Sequence, residues 1–128
     1  MSVSQWLAYL ERLAKERPWL LDQPIIVVYG TPLTLREVIN YLRRGIWVSE
    51  IVRKLEQMLR PSSPEEEDVY ILFERWLEDL YRKGIRFVIG CLGEVYTVEE
   101  LLEMVRRRDP RVKEFVELFK KGLIEVLR

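Results

Sequence analysis

Residues Gly30–Arg44 read GTPLTLREVINYLRR, and Gly93–Arg107 read GEVYTVEELLEMVRR. At a constant separation of 63 residues, Ile26 answers Ile89, Gly30 answers Gly93, Thr34 answers Thr97, Glu37 answers Glu100, and Arg43–Arg44 answer Arg106–Arg107. One inserted residue later, Glu50 and Val52 answer Glu114 and Val116. Upstream, WLAYL from Trp6 answers WLEDL from Trp76, with a longer connection in the first copy.

Both phrases carry a T-x-x-E helix start, in which the threonine side chain caps one backbone N–H and the glutamate reaches back to another. Behind it Leu35, Val38, Ile39 and Leu42 in one copy, and Val98, Leu101, Leu102 and Val105 in the other, form a helical stripe. Ahead of it, QPIIVVYG (23–30) and IRFVIGCLGEVYT (85–97) are β-branched runs broken at glycine, the pattern of strand, turn and strand. T-x-x-E is a common helix start, so chance is the rival account, and the matching order of elements favours duplication. The first helix opens with Ser2 and Gln5 as a capping box and stops at Pro18. A third carries Val48, Ile51, Val52, Leu55 and Leu59. The linker RPSSPEEED leads through Ser63 as N-cap and Pro64 into a fourth, with Val69, Tyr70, Phe73, Trp76, Leu77 and Leu80. The last places Val112, Phe115, Val116, Phe119 and Leu123 inward.

A lone hairpin is marginal in water, so two hairpins side by side are expected to form one sheet. The expected fold is therefore α+β: two pseudo-symmetric helix–hairpin–helix–helix halves whose four-stranded antiparallel sheet packs with about six helices. Residues 1–128 form a single domain, duplicated internally as approximately 1–60 and 64–128.

The chain has 128 residues, 48% of them hydrophobic and 33% charged, which places it among globular proteins rather than disordered ones. Its 21 basic and 21 acidic residues cancel, which excludes a binder held by global charge and leaves local patches open. Few amides and many charges are the composition of a heat-adapted protein. A single cysteine, Cys91, fits a reducing, cytoplasmic setting. No secretory leader or membrane-spanning run is expected.

Chemistry is sparse. Histidine is absent, and Cys91 sits in an apolar strand pattern as a small core residue, so no nucleophile–base pair is expected and no catalytic residue is assigned. No metal or cofactor site is expected: Glu65, Glu66, Glu67 and Asp68 read as a solvated helix N-terminus, and neither glycine turn has the spacing of a phosphate loop. What repeats is basic. Arg43 and Arg44 end one helix, and Arg106, Arg107 and Arg108 end its counterpart, with Tyr41, Trp47, Arg86 and Tyr96 close by in sequence. Two readings stand. The arginines compensate the negative ends of helix dipoles, or they follow phosphates while the rings stack on unpaired bases.

With two hairpins beside helices in a heat-adapted chain, the layout resembles the core of the ThermoDBP-related archaeal single-stranded DNA-binding proteins. That resemblance implies a non-catalytic protein of a hyperthermophile, binding single strands in a cleft of aromatic and basic residues and assembling as a homo-oligomer. Near the hairpins only Phe87 supplies a phenylalanine. The alternative is an assembly or protein-interaction component without nucleic acid. Ile71, Leu72, Leu118 and Ile124, beside the main helical stripes, and the two-sided apolar run IIVVY also call for cover, which an oligomer would supply.

Overall fold

The computed structural model describes residues 1–59, 64–90 and 92–128. The expected cap at Ser63 and the core role of Cys91 lie outside these residues. The first half runs α1 (Val3–Glu16), a 3-10 turn (Pro18–Asp22), β1 (Pro24–Val28), β2 (Thr31–Thr34), α2 (Leu35–Arg44) and α3 (Val48–Leu59). The second runs α4 (Glu66–Arg82), β3 (Phe87–Ile89), β4 (Val95–Thr97), α5 (Val98–Arg106), a 3-10 turn (Pro110–Val112) and α6 (Lys113–Leu127). The chain is α+β, and none of its helices among the described residues is long and apolar enough to cross a membrane.

The repeated residues fold alike locally. Thr34 Oγ1 accepts from the Glu37 N–H at 3.2 Å, and Thr97 Oγ1 from the Glu100 N–H at 3.0 Å. Only the first box closes, with Glu37 Oε1 accepting from the Thr34 N–H at 3.0 Å. Past α2, Gly45 lies at φ 71° and the Ile46 N–H donates to the Tyr41 carbonyl. Past α5, Arg108 lies at φ 54° and the Asp109 N–H donates to the Met104 carbonyl. Both are the left-handed helix stop with a 6→1 bond. Arg108 thus stands at the position of Gly45, where a side chain carries strain.

The expected four-stranded sheet is not present among the described residues: there β1 pairs with β2 and β3 with β4, as two antiparallel sheets of two strands each. The cause is helical cover. All five residues of β1 are buried, α3 and α4 both pack on this strand, and α4 also touches β2, so helices rather than strands complete the hairpin. That contact also corrects the expectation that IIVVY needs a partner chain. Leu72 of α4 is fully buried in the first core with Ile25–Val28, and Ile71 and Ile124 pack against the same core. The second core gathers Val69, Tyr70, Phe73 and Leu77 of α4 with the inward stripe of α5 and with Val112 and Val116. Helix α4 therefore serves both cores. It starts at Glu66, capped by the backbone of Glu65 without a side-chain bond. The Lys54–Asp68 ion pair at 2.5 Å, nearly buried on both sides, ties α3 to its first turn.

Replacing Thr34 by alanine is expected to cost about 1–2 kcal/mol, and replacing Thr97 about 0.5–1 kcal/mol, because only the first site closes a full capping box. Urea unfolding of the two variants measures the order; equal losses would contradict it.

Candidate binding surface

The turn between β1 and β2 has two residues, Tyr29 at φ 51° and Gly30 at φ 75°, with Val28 opposite Thr31. Two left-handed residues make the primed turn that suits a twisted hairpin. Glycine fits there without cost, whereas tyrosine carries strain of about 1–2 kcal/mol. After α2 stops at Gly45, Trp47 is also left-handed, at φ 52°. Trp47 meets Tyr29 edge to face, with centroids 5.4 Å apart, and Tyr41 of α2 likewise at 5.6 Å. Tyr29 remains 70% exposed and Trp47 is exposed in part. Two strained backbones thus hold a three-ring cluster at the surface, between the β1–β2 turn and the α2–α3 junction.

The basic residues divide by what they meet. Arg44, in the last turn of α2, is exposed and has no carboxylate partner among the described residues, whereas Arg43 pairs with Glu11 across α1 at 3.4 Å. Arg106 donates through Nε to Glu74 at 2.9 Å. Arg107 lies at 4.0 Å from both Glu103 and Asp109. Arg108 donates to the Val105 carbonyl at 2.6 Å and to Glu67 at 2.5 Å, and its guanidinium stands 4.5 Å from the Tyr70 ring centroid. These bonds account for an arginine at a glycine position: the side chain clamps the end of α5 onto α4. Arg86 lies over the Tyr81 ring at 4.3 Å and donates to the Tyr81 carbonyl. Tyr96 is half-buried on the inner side of β4, edge to face with Phe115 at 5.3 Å.

So Tyr41 and Trp47 meet in one place, with Arg44 three residues along the chain from each, and Arg106, Arg107 and Arg108 follow one another in another. Among the described residues no hydrogen bond, ion pair or ring contact joins the two groups. Tyr29 was not legible as a surface ring, because it reads as the last residue of an apolar strand. Its neighbour Gly30 is the signal for a turn, but the pairs that mark a two-residue primed turn begin with asparagine, aspartate or glycine, so a tyrosine there gives no sign of it.

Beside the second group, Asp109 caps its 3-10 turn by accepting from the Arg111 N–H at 2.9 Å and receives Arg111 Nη2 at 2.7 Å. These bonds, led by the Arg111 side chain, lower its pKa from 3.8 to about 2. Since the folded value lies below the unfolded one, its contribution is complete above the ordinary carboxylate range and fades as pH falls toward 2. A carboxyl-detected NMR titration should find Asp109 still ionised where free aspartates are half protonated.

Arg108→Gln should lower the unfolding midpoint by removing the link to Glu67 and Tyr70 while retaining the left-handed strain. Arg44→Gln should leave the midpoint unchanged. Compared with known proteins, the chain matches no family model, no curated protein and no solved structure.

Proposed function

We propose that this protein binds single-stranded nucleic acid without catalysing a reaction, through Tyr29, Tyr41 and Trp47, with Arg44 meeting a phosphate. The observation that carries the reading is the exposed ring cluster, in which two aromatic residues are kept at positive φ. Rings held at the surface by strained backbone present π-faces that unpaired bases can cover, while duplex bases cannot. The ligand class is the one implied by the resemblance to the ThermoDBP-related proteins, with the site moved. Arg106 and Arg108 are engaged by carboxylates of α4, and Tyr96 and Arg86 by neighbouring groups, whereas among the described residues Arg44 has no carboxylate partner and stands three residues from both Tyr41 and Trp47. The same reading places the protein inside a cell, where nucleic acid is found, and derives its two halves from one duplicated unit whose second copy became structural.

A formal charge of zero and a single uncommitted arginine in the cluster limit the phosphate contacts to one or two. The salt dependence is then shallow, with a log–log slope of about −0.7 per contact on single strands. Fluorescence titration, with Trp47 as reporter, should show quenching by single-stranded oligonucleotides and much weaker binding of duplex. Tyr29→Ala or Trp47→Ala should weaken binding by about 1–3 kcal/mol for each base unstacked. Arg44→Gln should reduce the slope by about 0.7. Absence of binding at low salt, or equal affinity for duplex, would overturn the reading.

A second reading, assembly through protein contacts, is favoured by a separate observation, the apolar exterior of the second hairpin.

A further inference from the structure

The two hairpins occupy the same place in the repeated phrase but differ in cover. Ile26 of β1 is 2% exposed, whereas its counterpart Ile89 of β3 is 71% exposed. In β3 and β4, Phe87, Ile89 and Val95 share the outward face, Ile89 pairing directly with Val95, and Leu92 stands exposed in the turn. The inward face, Val88 and Tyr96, packs against the second core. Beside β3, and sharing Ile89 with this outward face, lies a groove of about 410 Å³ that is also lined by Trp19, Trp76, Phe115, Leu118 and Phe119. For the first hairpin the cover comes from α4, the opening helix of the next half. Among the described residues the outward face of β3 and β4 has no such cover.

We infer that a second copy of this chain covers the β3–β4 face, the two copies packing hairpin to hairpin about a twofold axis. Three observations choose this occupant. The first is area. Trp19, Phe87, Ile89, Leu92 and Val95 are each more than half exposed and Leu118 nearly half. At the usual size of such side chains this is roughly 800 Å² of apolar surface, the share one partner contributes to a standard interface. The second is charge. A net charge of zero imposes no long-range repulsion between copies. The third is closure. An endless stack, with α1 of one copy standing in for α4, would need a second apolar side on α1. Four residues ahead of Trp76, Leu72 supplies that side in α4; four ahead of Trp6 stands Ser2, the polar cap of α1. A self-complementary pair is therefore favoured over a filament.

The test is sedimentation across the micromolar range, with hydrogen exchange read at the β3 and β4 amides. The expected result is a species of twice 15.5 kDa whose β3 and β4 amides gain protection as protein concentration rises. Ile89→Glu and Val95→Glu, both at exposed positions, should weaken the pair by about 100-fold or more while the far-UV circular dichroism stays unchanged. Tyr29→Ala, remote from the hairpin, should leave it intact. A monomer throughout the range, or a dimer indifferent to both glutamates, would overturn the inference. So would a monomer that pellets with phosphatidylcholine vesicles, which would assign the face to lipid. If either variant fails to fold, the concentration dependence of wild-type amide protection decides alone.

Discussion

The packing of α4 against β1 is the contact on which the rest of the architecture rests. A strand apolar on both faces cannot stand at the edge of a two-stranded hairpin, since neither side would tolerate water. Helices α3 and α4 bury it, and among the described residues no strand from the second half pairs with the first sheet. The same helix turns its other side to α5 and α6. One element thus divides the interior into two cores and joins them. The Lys54–Asp68 pair fixes its entry, and the Arg106–Glu74 and Arg108–Glu67 pairs hold the C-terminal end of α5 against it.

Much of the fold was legible because its signals are local. Capping threonines, glycine stops and apolar stripes depend on neighbours within a few residues, and the helices and strands they imply are present in the expected order. Strand pairing beyond the hairpins depends on what covers β1, and that information lies in Leu72, which reads equally well as an oligomer contact or an internal one. The lack of closure in the second capping box was equally hidden, because Thr97 and Glu100 keep the same spacing as Thr34 and Glu37.

The binding surface was legible in part. Trp47, Tyr41 and Arg44 stand within one helical turn and its exit, so sequence proximity brings them together. The arginines after α5 look identical to those after α2, yet α4 offers Glu67 and Glu74 to them, whereas Glu11 of α1 reaches only Arg43. Which cation is consumed by a carboxylate is a property of helix packing. No spacing rule within a single segment contains it.

The tyrosine at the β1–β2 turn has a consequence for how this chain could change. Asparagine or glycine would sit at that backbone position with less strain, so any drift or screening that rewards stability alone favours losing the ring. Persistence of an aromatic at position 29 among relatives would then be a record of selection acting against the folding free energy. Its replacement by asparagine in a lineage would mark the point where that selection ceased.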